Sequence, residues 1–150
     1  MDPGEEAALG LDPEAALRGW ARPVYLVHDH ASRRHHWDLR LEFEGVLKSW
    51  AVPKGLPTEP GVRRLAVEVP DHALAYAPFE GEIPEGAYGA GQVRIWDRGT
   101  FAVHERTPDK LVVDIAGERV RGTYHLVRTR MNDDPRNWLV FLGAPRPASR

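Results

Sequence analysis

The chain has 150 residues, 42% of them hydrophobic, which is enough for one core and one domain. Its net charge of −2 excludes a protein that coats nucleic acid through bulk charge, so any phosphate binding must be local. The absence of cysteine excludes disulfides, thiolate nucleophiles and cysteine metal sites, and it suits a reducing, cytoplasmic location.

No apolar run approaches a membrane span, and the acidic start MDPGEEAALG is unlike a signal peptide. One helix is predicted near the start. Asp12 can cap it, Pro13 suits its first turn, EAALR continues it and Gly19 ends it. Everything after reads as β. The expected strands are 24–30, 36–43, 46–52, 63–69, 92–97, 110–116, 122–129 and 137–142, with Glu44-Gly45 as a tight turn. Long loops are expected at 53–62 and 70–91, where function usually sits. Gly86, Gly89 and Gly91 read as turn and bulge residues, and Trp50, Trp96 and Trp138 as core. The predicted fold class is all-β: a closed or partly closed antiparallel β-barrel of about eight strands with one short N-terminal helix. One domain is expected, with an N-terminal segment 1–20, a barrel 24–142 and a tail 143–150.

The stretch HDHASRRHHWDLRLEF, residues 28–43, carries the chemistry. Residues i and i+2 of a strand share a face, roughly 6–7 Å apart. Trp37, Leu39, Leu41 and Phe43 therefore form a core face, and His36, Asp38, Arg40 and Glu42 the opposite one. His36-x-Asp38 is a spacing at which a nitrogen and an oxygen can reach one metal ion. It is equally the spacing of a hydrogen-bonded surface pair. If 31–35 form a hairpin loop, His30 lies opposite His36, about 5 Å away. His30, His36 and Asp38 then make a facial triad that suits Mn²⁺, Zn²⁺, Fe²⁺ or Co²⁺. Arg40 follows on the same face, where its fork could pair two phosphate oxygens or form an ion pair with Asp38 or Glu42. His28, Asp29 and His35 read as ordinary residues.

The longer stretches HHWDLRLEFEGVLKSWAVPKGLP, RRLAVEVPDHALAYAPFEGEIPEGAYGAGQVRIWDRGTF, LVRTR and NWLVF resemble the 3′-phosphoesterase domain of bacterial ligase D. The resemblance implies a β-barrel phosphoesterase that uses Mn²⁺, with Co²⁺ or Zn²⁺ as substitutes. Such an enzyme removes a 3′-terminal ribonucleoside and then the 3′-phosphate, leaving a 3′-OH for end joining. By the family pattern His30, His36 and Asp38 are metal ligands, and Arg40, His72, Tyr76, Lys54 and Arg64 serve the phosphate and the reaction. The implied partners are primer–template DNA with a 3′ ribonucleotide or 3′-phosphate end, and an end-joining ligase or polymerase; a monomer is expected.

The sequence departs from the family in three places. PEAALRGWARPVY replaces the usual R-D-F and T-x-E-P segment, His28-Asp29 replaces Q-K, and Pro70 precedes Asp71. Two other functions fit parts of the pattern. A non-haem Fe(II) oxygenase would join His36-x-Asp38 to a distant His104 or His125. A non-catalytic module would bind DNA ends without turnover.

Overall fold

The computed structural model describes residues 10–87 and 89–144; the expected extremities 1–9 and 145–150 lie outside the described residues. Helix α1 is one turn, Pro13–Ala16, shorter than predicted. Its cap is the expected one: the Asp12 side chain accepts the Glu14 backbone N–H at 3.3 Å. No helix among the described residues is long and apolar enough to cross a membrane.

Nine strands follow among the described residues: β1 Val24–Ala31, β2 His36–Phe43, β3 Val46–Val52, β4 Arg63–Ala73, β5 Gly81–Ile83, β6 Gly91–Thr107, β7 Lys110–Gly117, β8 Arg121–Arg128 and β9 Asn137–Leu142. The sheet order is β1-β2-β3-β4-β9-β8-β7-β6-β5, and an added β1–β6 pairing closes it. Eight strands thus form a closed antiparallel barrel, with the short β5 lying beside β6. The β2–β3 turn matches its sequence signal. Glu44 and Gly45 take φ of 54° and 82°, as a two-residue turn with both central angles positive requires.

Alternation sorts the strands into an inner and an outer face. Tyr25 and Val27 of β1, Leu39 and Leu41 of β2, and Trp50 and Val52 of β3 belong to one buried cluster with Val113, Leu126 and Val140. This cluster fills the barrel. Burying a side chain such as Leu39 or Leu41, each 0% exposed, contributes about 1.5–3 kcal/mol. Val24, Leu26 and Leu47 face outward and are buried separately, beneath Leu17, Leu74 and Ala77. The segment after β4 therefore folds back over the outer wall of β1–β3.

Two expectations about segments are corrected. Residues 70–91 are not one long loop, because β4 runs on through Asp71 and His72 to Ala73. A 3₁₀ turn (Leu74–Tyr76) and β5 occupy part of the rest. Pro70 does not end the strand. It sits instead at a bulge: Ser49 faces Val69 and Leu47 faces His72, so β4 holds one extra residue there. The bulge turns His72 to the outer face, with Leu47. Strand β6 also outruns its predicted end at 97, continuing to Thr107 past Arg98-Gly99. Gly99 is not a turn residue. A Cβ there would collide with the Ala116 carbonyl oxygen of β7, so glycine allows the two strands to approach.

Candidate active site

The outward face of β1 and β2 carries the polar row. His30 and His36 are cross-strand partners, as the hairpin register predicted. His30 Nδ1 lies 3.6 Å from Asp38 Oδ2, and His36 Nε2 lies 3.2 Å from the same oxygen. The three candidate ligand atoms all lie within 4.8 Å of one another. Among the described residues this is the one cluster of three or more potential metal-ligating side chains.

The far nitrogens fix the tautomers. His30 Nε2–H donates to the Gly89 carbonyl at 2.7 Å, and His36 Nδ1–H donates to the Arg34 carbonyl at 2.9 Å. His30 Nδ1 and His36 Nε2 are thereby turned toward Asp38, hydrogen-bonding its carboxylate and able to offer their lone pairs to a cation instead. Donors around one cation at about 2.1 Å stand roughly 3–4 Å apart, so the set fits an N₂O site with slight contraction. Carbonyl anchoring of the outer N–H is the usual support of a metal-ligating imidazole.

Arg40 lies behind Asp38 and is 3% exposed. Its Nε donates to His28 Nδ1 at 3.0 Å, Nη1 donates to Ser49 Oγ at 2.9 Å, and Nη2 stands 3.4 Å from Asp38 Oδ2. Nη1 also lies 3.2 Å from His72 Nδ1, and Cζ is 5.3 Å from the centre of the Tyr76 ring. The fork that was expected to face phosphate thus meets Asp38, Ser49 and His72. Tyr76 is buried, with its ring against His28, His72 and Phe79.

His28 is the residue that sequence reasoning missed. It shares the face of His30 and is fully buried, donating Nε2–H to the Phe79 carbonyl at 3.0 Å. Burial first, and the Arg40 charge second, push its pKa down to about 3. A neutral imidazole is what Arg40 Nε requires as an acceptor. Burial alone would raise Asp38; the Arg40 charge and the contacts with His30 and His36 outweigh it, holding the carboxyl far below its usual range. Burial also opposes charge on His36, and contact with Asp38 outweighs it, so that imidazole is raised.

The remaining predicted residues sit differently. Arg64 Nη1 donates to the carbonyls of Lys54, Gly55 and Leu56, at 2.8, 3.1 and 3.4 Å. It braces the loop that carries Lys54, whose own side chain is exposed. Asp29 and His35 pair at 2.5 Å, and His35 stacks on Trp37. His104 bonds Asp114 at 2.6 Å and His125 stacks on Phe141, so the triad is completed by His30 and not by a distant histidine.

The family model described as DNA Ligase D 3′-phosphoesterase domain matches residues 28–128. The chain is 46% identical over 136 residues to the multifunctional non-homologous end joining protein LigD of Pseudomonas aeruginosa, covering 87% of this chain and 16% of that protein. It is 48% identical over 130 residues to the LigD protein of Mycobacterium tuberculosis, covering 80% of this chain and 17% of the relative. The corresponding protein of Mycolicibacterium smegmatis is 42% identical over 127 residues, again with 16% of its length covered. The chain therefore spans about a sixth of these relatives. It belongs to the DNA ligase D 3′-phosphoesterase domain family.

Proposed function

We propose that this chain is a phosphoesterase that heals the 3′ ends of nucleic acids during end joining. It removes a 3′-terminal ribonucleoside and then the 3′-phosphate, leaving a 3′-OH. The observation that carries this reading is the triad His30 Nδ1, His36 Nε2 and Asp38 Oδ2, with both outer histidine nitrogens anchored and a buried guanidinium behind. Family membership supports the phosphoester class.

The donor set suits Mn²⁺, with Co²⁺ or Zn²⁺ as substitutes, and such an ion would supply Lewis acidity toward a phosphate oxygen. The protein's own groups do the rest. Arg40 places a fixed positive charge beside the position where negative charge grows during phosphoryl transfer. Its burial keeps that charge from being screened by water. His72, half-buried against Arg40 and Tyr76, is placed to give a proton to the leaving oxygen. Tyr76 walls the guanidinium in, and Arg64 braces the loop from which the exposed Lys54 would meet the incoming strand. Ser49 is 1% exposed and its hydroxyl is bonded to Arg40 and the Leu47 carbonyl. No serine among the described residues is thus free at the site, and water is taken as the attacking group: its oxygen bonds phosphorus as the bond to the leaving oxygen breaks, the leaving oxygen takes a proton from His72, and the water's proton passes to solvent. The working form is a monomer acting with an end-joining ligase or polymerase.

The test uses a 5′-labelled primer–template ending in one 3′ ribonucleotide and a parallel 3′-phosphate substrate, with Mn²⁺ or EDTA. Shortening and dephosphorylation, both abolished by EDTA, are expected. Asp38→Ala should retain less than about a hundredth of the rate. An Asp38→Ala protein as active as the wild type would overturn the site assignment. No turnover by the wild type on either substrate would overturn the function.

A further inference from the structure

We infer that Arg98 and Arg121 form a second phosphate-binding position, which holds the backbone of the nucleic acid whose 3′ end lies at His30, His36 and Asp38. The inference rests on the phosphoesterase reading above and extends it to the body of the substrate.

A cleft of about 230 Å³ opens between residues 19–21, the middle of β6 and the β7–β8 turn. Arg98 and Arg121 line it with one carboxylate, Glu118. Among the described residues neither guanidinium has a carboxylate within ion-pair distance. Arg22, Arg106 and Arg136 are instead paired, with Glu14 and Glu42, with Glu44 and with Asp134. Other arginines such as Arg33 and Arg130 also lack such a partner among the described residues; what sets Arg98 and Arg121 apart is that they share one cleft. A larger cavity of about 450 Å³ shows the contrast. Its cations Lys48, Arg106 and Arg128 face Glu68, Glu44 and Asp109 at 3.8, 2.7 and 3.0 Å, so its charge is cancelled. In the smaller cleft the charge is left for a ligand.

The Arg98 side chain and the backbone before Arg121 are held in place. Arg98 Cζ lies 4.4 Å over the Trp20 ring. Arg121 follows a turn pinned by the buried Asp97, which accepts the N–H groups of Arg119 and Val120 at 2.8 and 3.0 Å. Gly19, Gly99 and Gly117 add no side chain to the lining. Two guanidinium forks over a bare backbone suit a phosphate diester, which accepts charge-assisted hydrogen bonds and tolerates close approach.

The register sets the spacing. Arg98 is the cross-strand partner of Leu26, and His28 and His30 continue along the same face of β1. From Leu26 to His30 is roughly 13 Å at the rise of a β-strand. Leu17, Leu74 and Ala77 cover β1 between the two positions, so the nucleic acid passes over them and this run is a lower bound. A duplex strand advances about 3.4 Å per phosphate, so the cleft meets the backbone roughly four or more nucleotides from the reacting end.

The experiment compares wild type, Arg98→Ala/Arg121→Ala and Arg98→Lys/Arg121→Lys on two 3′-phosphate substrates with Mn²⁺: a dinucleotide and a hairpin of about twelve base pairs. For the alanine variant, KM on the hairpin should rise about tenfold, the salt slope should fall by about two, and turnover of the dinucleotide should be unchanged. The lysine variant should recover most of the slope. Hairpin binding by fluorescence anisotropy in EDTA gives a reading free of turnover and should weaken in parallel. The exposed Arg121→Ala alone should show about half the slope change. An unchanged hairpin KM, slope and affinity in the alanine variant would overturn the inference, as would an equal loss on the dinucleotide. A wild type that binds the hairpin through these arginines and turns over neither substrate would instead overturn the phosphoesterase reading.

Discussion

At the scale of single residues, the site is organised around Arg40. Its charge holds Asp38 ionised, and its orientation depends on a histidine that must stay neutral. His28→Ala removes the Nε acceptor and leaves a buried donor without a partner. It should cost about 1–3 kcal/mol of stability. It should also lower kcat roughly 10–100-fold with little change in KM. His28→Gln, which offers an acceptor at similar reach, should recover most of kcat. Steady-state kinetics beside a thermal melt separate the two effects; a His28→Ala enzyme with wild-type kcat would remove His28 from the mechanism. Alternation along β2 made the His36, Asp38 and Arg40 face readable from sequence, and hairpin register added His30. His28 was not readable. It obeys the same alternation, but its burial depends on the 74–79 segment folding over β1, a contact between residues 51 positions apart.

At the scale of elements, what the sequence concealed lies in two interrupted strands. Pro70 and Gly99 carry the residue types that usually end strands, and both lie inside one. In β4 the interruption is a bulge, and it reverses the side on which His72 emerges. A regular strand would send His72 into the barrel, away from Arg40. In β6 the glycine marks a close approach that only the neighbouring chain makes visible. Gly99→Ala should therefore destabilise by about 2 kcal/mol or more, because the methyl group meets backbone rather than a movable side chain. Chemical denaturation would show a lower midpoint at an unchanged slope. A midpoint equal to that of wild type would mean that the β6–β7 spacing is set by something else. Most barrel strands were legible from alternation, as in β2, while β1 and β7 were legible as short apolar runs bounded by turn residues; the three-residue β5 is too short to show a period.

At the scale of the whole molecule, a carboxylate ties the N-terminal segment to the barrel. Glu42 on β2 receives Arg22 Nη2 at 2.6 Å and the Val24 N–H at 2.9 Å, and Arg22 also reaches Glu14 at 2.8 Å. The Arg22 hydrogen bond, against the opposing effect of burial, holds the Glu42 carboxyl below its ordinary 4.5. A carboxyl that is more acidic when folded stabilises the protein above its unfolded pKa, and that stability is lost as pH falls through the folded one. Glu42→Gln should thus lower Tm by roughly 3 °C at neutral pH, about 1 kcal/mol, with the two melting curves converging on acidification. A difference that persists undiminished at low pH would point to packing and not to charge. The β1–β6 seam has a consequence in time. Tyr25 and Asp97, which meet across it, are 72 positions apart, whereas β1–β2 and β2–β3 are joined by short turns. Local hairpins form early and a distant seam closes late, so β1 gains its second neighbour only at the end of folding. His30 rides on that strand. The capacity to capture a cation should therefore emerge with the slowest refolding phase, and stopped-flow metal uptake would act as a clock for ring closure.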